Sequence, residues 1–413
     1  MKNESGEEKT EAAEKHTDLT SGERNRNMKI IFNRQEIIND VTPLMCAASS
    51  ARSSIAAVEG ILFEAEAPST VTMTTYDLEK GVRTTVEANV LEGGSCVINA
   101  QKFLQSVKVM SGEEITLSVN DRLGVTITSG KSTYRMTALA ASEFPSLPAL
   151  RTELGFTVSS KTLRSMIGKV MYAMGVNDQR VILNGTYFKV SDGELLAVAC
   201  DGFRLAKSVR NVDFGRINDD ESSLHFAYVV PGKTVNELCR MLPDDDDISA
   251  AVYMGRKHMV YVIEGLTFFT RLIEGEYIDY DRIIIKNHRI KVTCPRDVLL
   301  SALEKAAIVT EEKIVGAGRT HVKLTLEGEL LKITADSSLG SSYDEIPVVH
   351  EGDDIVIAFN NRYLIDSVRS CDTETVELQM STPLTSVNIL PVNEDGTADE
   401  NDIFFLLPVR MKS

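Results

Sequence analysis

The chain has 413 residues, of which 43% are hydrophobic and 25% charged, a composition typical of a globular protein with two to four domains. No stretch approaches 18 uninterrupted apolar residues, and the N-terminus lacks the apolar segment of a secretory signal, so the sequence predicts a soluble cytoplasmic protein. The net charge of −16 argues against nucleic acid as a partner unless positive charge is concentrated in one part of the surface.

Residues 1–27 are polar and rich in charge, with only a few scattered apolar side chains. Such a segment buries too little apolar surface to order itself. The sequence therefore predicts a disordered acidic tail at 1–27 and a folded part that begins at Met28.

The cysteines and histidines give no sign of a metal or redox site. No C-x-x-C pair and no H-E-x-x-H pair occurs, so we expect reduced thiols, no metal and no cofactor. The six widely separated cysteines are Cys46, Cys96, Cys200, Cys239, Cys294 and Cys371.

The first predicted elements form a set of three. "IIFNRQEIINDV" (30–41) is a strand that meets a helix at a capping-type residue, Asn33. "TVTMTTYD" is a strand that ends in an acidic turn at Asp77. "VINAQKFLQSVKVM" (97–110) is a strand, a turn at Asn99 and an amphipathic helix.

The same set recurs in the middle of the chain. "GFTVSSKTLRSMI" (155–167) repeats the strand and helix with Ser159 at the cap, and "LLAVACD" repeats the acidic turn at Asp201. "VVPGKTVNELCRML" then repeats the third element with Pro231 at the turn.

A third copy follows toward the C-terminus. "IKVTCPRDVLLSAL" (290–303) places Thr293 at the predicted cap, and "LLKITAD" places Asp336 at the acidic turn. "IAFNNRYLIDSVRSC" (357–371) supplies the last helix, after a turn at Asn360.

The repeat spacing of roughly 130 residues predicts three similar α+β domains in series, each with antiparallel sheets of about eight short strands covered by two helices. The predicted domains are 28–150, 151–284 and 285–413. The predicted linkers lie near 144–155 and 283–289.

Two motifs could indicate a catalytic or phosphate-binding site, but their residues are more typical of turns. Cys200 and Asp201 could belong to a thiol site, yet no histidine is placed to activate the thiol, and Asp201 has counterparts in the other repeats. "GVTITSGKSTYRM" (124–136) resembles a phosphate-binding loop, but five residues separate its glycines and β-prone residues follow it. This segment therefore predicts a hairpin turn at Ser129-Gly130.

Positive charge is concentrated on the predicted helices. Taken together, six predicted helical segments carry a net positive charge, although the whole chain is at −16 and two of the segments are not positive by themselves. The segments are 34–52, 100–110, 160–175, 231–242, 295–313 and 360–370. Helices pack about 9 Å apart, so six would line a circle about 17 Å across and twelve one of about 34 Å. Duplex DNA is about 20 Å across, so two chains could enclose it and one could not.

At this point the chain resembles the bacterial DNA polymerase III β subunit, the sliding clamp, over residues 28–411. "MKIIFNRQEI" is similar to the opening strand and helix of that family, "YDLE" to its T-D-L-E, and "SGKSTYRMTALAASEFP" to its S-G-x-S-x-[FY] stretch. "VACDGFRLA" is similar to its V-A-T-D-G-H-R-L-A. "RVILNG", "VPGKTVNEL" and the ending "LLPVR" agree as well.

The resemblance implies a homodimeric head-to-tail ring around double-stranded DNA that performs no chemistry. Such a ring confers processivity on the replicative polymerase and recruits the clamp loader and other proteins through a pocket for short peptides, without reading the DNA sequence. By analogy, Tyr134 and Met136 on the edge of the first domain would meet Ile308 and Val309 of the partner's third domain.

Two residue sets follow from the same resemblance. The matching pocket residues are Cys200, Gly202, Phe203, Arg204, Leu205, Ile278, Arg282, Ile283, Ser386, Val387, Leu406, Leu407, Pro408, Val409, Arg410 and Met411. The cationic residues expected to face DNA are Arg52, Lys102, Lys108, Lys161, Arg164, Lys169, Arg180, Lys233, Arg296, Arg362 and Arg369.

The pocket departs from the family pattern in ways that bear on its peptide preference. Phe203 replaces a usual histidine, Ile278 replaces a common proline, and Lys412 and Ser413 extend the chain past the usual end. An apolar floor there would bury leucine or phenylalanine anchors, while Arg204 and Arg410 would hold peptide carbonyls or acidic groups.

Two alternatives make different predictions. An enzyme would show turnover that depends on Lys131 or Cys200. A β-rich scaffold unrelated to DNA would be a monomer that tolerates loss of the helix charges.

Overall fold

The computed structural model describes residues 27–48, 55–152, 154–191, 193–216, 225–310, 321–338 and 340–411. The predicted tail at 1–27 therefore lies outside the described residues, apart from Asn27. Within the described ranges, no helix is long and apolar enough to span a membrane.

The described residues fall into two compact units. One contains those of Met1–Thr42, Ser53–Thr74 and Thr85–Pro145. The other contains those of Pro43–Arg52, Thr75–Thr84 and Ser146–Ser413.

The described part of the N-terminal third contains ten strands and two α-helices. The strands are β1 (Met28–Asn33), β2 (Gly60–Glu66), β3 (Thr70–Tyr76), β4 (Lys80–Glu87), β5 (Asn89–Glu92), β6 (Gly94–Asn99), β7 (Glu114–Val119), β8 (Gly124–Ser129), β9 (Ser132–Thr137) and β10 (Leu139–Ala140). The helices are α1 (Arg34–Leu44) and α2 (Ala100–Val109).

The middle third repeats this content. Its strands are β11 (Gly155–Ser159), β12 (Gly185–Ser191), β13 (Glu194–Cys200), β14 (Arg204–Asn211), β15 (Gly215–Arg216), β16 (Phe226–Pro231), β17 (Ser249–Met254), β18 (His258–Ile263) and β19 (Leu266–Arg271). Its helices are α3 (Ser160–Val170) and α4 (Gly232–Met241), followed by the single turn α5 (Tyr280–Ile283).

The C-terminal third does so again. Its strands are β20 (Ile290–Pro295), β21 (Val322–Glu327), β22 (Leu330–Ser337), β23 (Gly340–Pro347), β24 (Val349–Glu351), β25 (Ile355–Phe359), β26 (Thr375–Met380), β27 (Val387–Val392) and β28 (Asp402–Leu406). Its helices are α6 (Arg296–Thr310) and α7 (Asn361–Arg369).

Strand order confirms the predicted threefold repeat. One sheet of each repeat has the order β5-β1-β7-β8-β9, β15-β11-β17-β18-β19 or β24-β20-β26-β27-β28. The other has the order β6-β2-β3-β4, β16-β12-β13-β14 or β25-β21-β22-β23. The chain is therefore three similar α+β domains in series, each with two main helices and antiparallel sheets.

Two sheets of the second unit join directly into one nine-stranded sheet. Strand β14 pairs antiparallel with β28, from Arg204 opposite Leu406 to Ser208 opposite Asp402. In the same unit, β4 pairs antiparallel with β19, from Lys80 opposite Thr270 to Arg83 opposite Thr267. Strands of consecutive repeats are thus hydrogen-bonded neighbours.

The predicted helix starts are confirmed with one exception. The Asn33 side chain accepts hydrogen bonds from the amides of Gln35 and Glu36, as a cap should. Thr293 was a wrong prediction, because it lies inside β20 and α6 begins only after Pro295. Ser159 was also predicted as a cap and is one. Asn99 and Asn360, which were predicted as turn residues, cap α2 and α7 with their side chains.

The acidic turns are confirmed in the first two repeats only. Asp77 Oδ1 accepts from the amide of Lys80 at 2.8 Å, and Asp201 Oδ1 accepts from the amide of Arg204 at 3.0 Å. The prediction for Asp336 was wrong, because β22 continues past it and pairs it with Ser341 of β23. A longer hairpin replaces the side-chain turn there.

The segment that resembled a phosphate-binding loop is a β-hairpin, as predicted. Ser129 of β8 pairs with Ser132 of β9, which leaves a two-residue turn. Gly130 in that turn has φ +56°, a conformation that favours glycine.

The apolar helix faces lie in the core, as their spacing predicted. On α2 and just after it, Phe103, Val107 and Met110 are all buried. Phe103 packs edge to face on Phe63 of β2, with ring centroids 5.2 Å apart. Each such side chain stabilises the fold by about 1.5–3 kcal/mol through burial of apolar surface.

Candidate peptide-binding site and cationic side chains

The turn between β13 and β14 forms one edge of the candidate peptide site. Asp201 Oδ1 accepts hydrogen bonds from the amides of Phe203 at 2.9 Å and Arg204 at 3.0 Å, which closes the turn. Gly202 has φ +90°, so the turn requires a residue without a Cβ. The consequence is that Phe203 points outward, with 60% of its surface exposed.

The floor beneath this turn is an apolar cluster. Cys200 and Leu205 are buried in it beside Leu183, and Ile278 packs against it. Burial raises the pKa of the Cys200 thiol, which keeps it protonated and unreactive at neutral pH. The cluster can therefore support apolar contact but offers no thiolate nucleophile.

Two tyrosines hold the segment that precedes α5 against the floor. Tyr277 stacks on Tyr187, with ring centroids 4.9 Å apart, and its hydroxyl lies 3.5 Å from the Val198 carbonyl oxygen. Tyr280 packs on the same Tyr187 ring at 6.0 Å. These contacts fix the position of Ile278, which lies between the two tyrosines in sequence.

The C-terminal segment forms another side of the site. The Leu407 amide donates to the Phe203 carbonyl at 2.9 Å, so the chain after β28 lies along the turn. The Val409 amide donates to the Ala358 carbonyl at 2.7 Å, which holds the next residues on β25. Leu407 remains 39% exposed, which leaves an apolar surface at this edge.

The structure separates the sixteen predicted pocket residues by exposure. Five of them are buried and can act only as floor or support: Cys200, Leu205, Ser386, Val387 and Leu406. Four are partly buried: Arg204, Ile278, Pro408 and Val409. Seven are exposed: Gly202, Phe203, Arg282, Ile283, Leu407, Arg410 and Met411.

Arg204 is held in place by acidic and aromatic side chains of its own chain. Its Nε donates to Asp201 Oδ2 at 3.0 Å and its Nη1 to Asp366 Oδ2 at 2.7 Å. Its guanidinium also lies over the rings of Tyr172 and Tyr363, at 5.1 and 4.1 Å from their centroids. These partners fix the guanidinium through Nε and Nη1, and its contact with peptide groups stays a prediction.

Arg180 lies beside the Gly202 turn. Its guanidinium bonds both Asp178 oxygens at 3.0 Å, and this pairing lowers the pKa of Asp178 to about 2. Its Nη2 lies 3.4 Å from the Asp201 carbonyl oxygen, and a Cβ on Gly202 would stand only 2.8 Å from that nitrogen. An exposed cation thus borders the candidate pocket.

Of the other cations predicted to face DNA, Lys102, Lys108, Lys233 and Arg362 are exposed and have no ion-pair partner in the described part of the chain. They are therefore available to phosphate oxygens. Arg52 lies outside the described residues.

Four more of these cations bond groups of this chain. Lys161 pairs with Asp246 at 2.7 Å, Arg296 with Asp297 at 2.9 Å and Arg369 with Glu304 at 2.6 Å. Arg164 Nη1 donates to the Leu242 carbonyl at 3.0 Å. Ion pairs at exposed sites contribute little, about 0–1 kcal/mol, and can exchange for other anions.

Lys169 was wrongly predicted as a DNA-facing cation. It is buried, and its Nζ lies 2.5 Å from Asp402 Oδ2 and 2.7 Å from Asp372 Oδ2. Asp402 also accepts from Ser208 Oγ and from both terminal nitrogens of Arg210. Burial alone would raise the Asp402 pKa, but the Arg210 and Lys169 bonds outweigh it and lower that pKa.

The residues predicted for the dimer contact have exposed surface. Tyr134 is 42% exposed and Met136 is partly buried, both on β9, an edge strand of its five-stranded sheet. Ile308 is 77% exposed on α6, next to the partly buried Val309. Both pairs therefore leave apolar surface that the described residues of this chain do not cover.

Three residues of the apolar cluster and its cover were not predicted from the sequence. Leu183 lies in the "RVILNG" segment that carried the resemblance, so its position could have been inferred. Tyr277 and Tyr280 flank Ile278 in sequence, but no periodicity of that short segment indicates that both rings pack on Tyr187.

Each repeat has two sheets and two main helices, and the repeat occurs three times in series. This is the architecture of a DNA-clamp fold. Family models agree in sequence order: residues 28–148 match the DNA polymerase III beta subunit N-terminal domain, 157–279 its central domain and 281–401 its C-terminal domain. The chain belongs to the DNA polymerase III beta subunit family.

Individual sliding clamps are similar to this chain in sequence and in structure. A Staphylococcus epidermidis beta sliding clamp is 26% identical over 93% of this chain and 99% of its own length, and a Staphylococcus aureus one is 24% identical over the same shares. A Bacillus subtilis DNA polymerase sliding clamp structure superposes with a TM-score of 0.85 at 24% identity, covering 94% of this chain and all of its own.

Proposed function

We propose that this chain is a sliding clamp that encloses duplex DNA as a head-to-tail homodimer, with domains near 28–150, 151–284 and 285–413, in the cytoplasm. It would confer processivity on the replicative polymerase and perform no chemistry itself. The observation that carries the proposal is the consecutive match to all three domains of one clamp family, across most of the described chain.

Edge strands support the head-to-tail dimer. Within the second unit, the last strand of one sheet, β14, pairs with the last strand of another, β28. By the repeat, the equivalent strands β23 and β9 are also sheet edges, and among the described strands each has one neighbour. A second copy would complete the pattern by pairing its β23 with β9, near Tyr134 and Met136.

The third domain places further apolar surface at such a contact. Helix α6 carries Ile308 and Val309, and its Lys305 bonds Asp344 of β23 at 2.7 Å. The helix is thus tied to the strand that would meet the partner, and the same contact would cover both apolar side chains.

The DNA contact would be electrostatic and independent of sequence. Lys102, Lys108, Lys233 and Arg362 are exposed lysines and arginines on helices α2, α4 and α7. Such side chains attract phosphate without reading base edges, so a closed ring could remain on DNA while it moves along it.

Partner proteins would bind at the turn after β13. Phe203, Ile283 and Leu407 are exposed apolar side chains above or beside the buried cluster, and leucine or phenylalanine anchors of a short peptide could bury area against them. Arg180, Arg282 and Arg410 would meet acidic or carbonyl groups of the peptide. The expected ligands are segments of the polymerase, the clamp loader and other clamp-binding proteins.

The test combines sedimentation mass with retention on DNA. A homodimer should sediment at twice the 45.5 kDa chain mass and, once loaded, stay on a nicked circle but leave when the circle is linearised. Matched linear DNA with blocked ends is the control, because it should restore retention. Equal loss from open-ended and closed DNA would refute topological binding, and a monomer at micromolar concentration would refute the ring.

A further inference from the structure

The turn between β3 and β4 repeats the turn of the candidate peptide site. Asp77 Oδ1 accepts hydrogen bonds from the amides of Glu79 at 3.0 Å and Lys80 at 2.8 Å, and Asp77 Oδ2 lies 2.6 Å from Lys80 Nζ. Asp201 makes the same set of bonds within its own turn. The two turns are therefore built alike, although one belongs to the first repeat and the other to the second.

The chain after β19 runs along the first of these turns as the C-terminal segment runs along the second. The Arg271 amide donates to the Glu79 carbonyl at 2.8 Å, and the Ile273 amide donates to the Val229 carbonyl at 3.0 Å. The two equivalent bonds after β28 are 2.9 and 2.7 Å long. The backbone framework of the candidate peptide site is thus present a second time, within the second unit.

A cavity of about 880 Å³ opens at this second junction, and the larger part of its wall is apolar. Leu78 of the turn lines it together with Val176, Val181, Met174 and Ile273. Leu78, Val176 and Val181 are 45%, 86% and 62% exposed, so they offer apolar surface to another molecule. A concave and mainly apolar site of this size is typical of a binding site.

The loop that carries Val176 and Val181 is held in shape from within. Asn184 Oδ1 accepts from the Asp178 amide at 2.8 Å, and Asn184 Nδ2 donates to the Asp178 carbonyl at 2.9 Å. A ligand would therefore meet a preformed wall, which lowers the entropy lost on binding.

Leu78 is an unusual residue for its position in the turn. Its φ is +77°, a conformation that a bulky residue rarely adopts, whereas the equivalent residue of the second repeat is Gly202, at φ +90°. The first repeat therefore accepts backbone strain and in return places an exposed apolar side chain at the cavity. Strain of this kind is often found where a protein contacts a ligand.

The unpaired charge of the cavity is mainly positive. Lys233 and Arg271 line it and are exposed, and neither has an ion-pair partner among the described residues. Of the two acidic lining residues, Glu274 pairs with Lys257 at 3.5 Å, whereas Glu79 has no ion pair in the described part of the chain. Two available cations against one available carboxylate favour a ligand that carries negative charge.

We propose that this cavity docks a short acidic peptide of a partner protein. Apolar side chains of the peptide pack on Leu78, Val176 and Val181. Its carboxylates pair with Lys233 and Arg271. The chain then has a second peptide site, separate from the one at the turn after β13. That the peptide comes from a protein recruited to a clamp rests on the proposed function, whereas the binding chemistry does not.

The experiment follows the methionine methyl signals of the full-length protein by NMR while a peptide is added. Met171 and Met174 line the cavity, whereas Met411 belongs to the candidate peptide site, so a single titration reports on both sites. The probe is a hexapeptide that alternates leucine and aspartate, and the matched peptide alternates leucine and lysine. The aspartate peptide should shift the Met171 and Met174 signals, and the lysine peptide should not.

Variants of the lining test which side chains bind the probe. Leu78→Gly should weaken binding at the cavity about tenfold, because it removes an apolar contact, and glycine suits the positive φ, so the fold should remain intact. Arg271→Gln should also weaken binding about tenfold, and Arg271→Lys should keep part of the affinity. Arg256→Gln changes an exposed arginine outside the lining and is the matched control, with unchanged affinity expected.

Shifts confined to Met411 overturn the second site and leave the proposed function standing. Shifts of Met171 and Met174 that the lysine peptide reproduces, or that persist in both Leu78→Gly and Arg271→Gln, overturn it as well. Shifts that appear without peptide as the protein concentration rises would mean that a second copy fills the cavity, which also overturns the proposal. Retention of wild type on circular DNA is measured separately, so failure of the clamp function gives a different result.

Discussion

Arg204 Nη1 lies 2.7 Å from Asp366 Oδ2, and this bond joins the turn of the candidate peptide site to helix α7. The same guanidinium is stacked between Tyr172 and Tyr363 and bonds Asp201 in its own turn. The Arg204 side chain thus fixes the edge of the candidate peptide site.

Replacement of Arg204 by alanine should destabilise the protein by about 3–5 kcal/mol, because it strands Asp366 and removes two cation–π contacts. Urea unfolding measures this change. A double-mutant cycle with Asp366→Asn should give a coupling of about 0.5–3 kcal/mol. Strictly additive single changes would show that the two side chains do not interact, and Arg282→Ala, an exposed arginine, is the control.

The neighbours Phe203 and Leu205 should respond in opposite ways. Phe203→Ala should change the free energy of unfolding by less than about 0.5 kcal/mol but weaken peptide binding by about 1.5–3 kcal/mol, since the ring is exposed. Leu205→Ala should destabilise by about 2–5 kcal/mol, since it leaves a cavity. Calorimetric titration with a leucine- and phenylalanine-containing peptide, together with urea unfolding, checks both, and unchanged affinity in Phe203→Ala would remove that ring from the site.

Asp402 should make stability depend on acid pH. Its pKa is lowered in the fold, so its contribution is present above the usual value of 3.8 and is lost as pH falls through the folded-state pKa. Asp402→Asn should cost about 3–5 kcal/mol at neutral pH, because Lys169 and Arg210 lose a buried partner. In urea unfolding measured at a series of pH values, the difference in the free energy of unfolding between wild type and Asp402→Asn should become smaller as the pH falls below 3.8.

Glu400→Gln is the matched control for this experiment, because Glu400 is an exposed acid two residues away. Its stability curve should run parallel to that of wild type. A gap between Asp402→Asn and wild type that stays constant down to pH 2 would mean that Asp402 titrates alike in the folded and unfolded chain.

Ile308→Asp should dissociate the proposed homodimer without unfolding the chain. The side chain is 77% exposed in the single chain, so the charge is tolerated there, but an apolar contact would have to desolvate it at a cost of several kcal/mol. Sedimentation should report the monomer mass. Val176→Asp, at a site 86% exposed and outside the predicted contact, should stay dimeric, and a dimeric Ile308→Asp would place the interface elsewhere.

Most helix starts could be predicted from sequence because the residues that signal them are close neighbours. The repeat could be predicted because the same local signals recur three times. Asn33 and Ser159 are caps whose partners lie within three residues. Thr293 was misplaced because a polar residue was expected at the third cap, whereas the chain uses Pro295, which has no side-chain acceptor. The hairpin at Gly130 was likewise decided by neighbouring residues.

The partners of buried charges could not be predicted from the sequence in the same way. A net charge on α3 does not indicate which face carries Lys169, and its acceptor Asp402 is 233 residues away. Likewise, Arg204 matched a family motif, but its stacking depends on Tyr363 of a different domain. Such pairs depend on which sheets join, and the strand pattern of one repeat does not specify that.

The pairing of β14 with β28 has a mechanical consequence. Five residue pairs, from Arg204 with Leu406 to Ser208 with Asp402, connect two repeats through backbone hydrogen bonds. Bending the chain between these two strands would break their backbone hydrogen bonds. The amides of both strands should therefore exchange with deuterium together, and only when the paired strands unfold cooperatively.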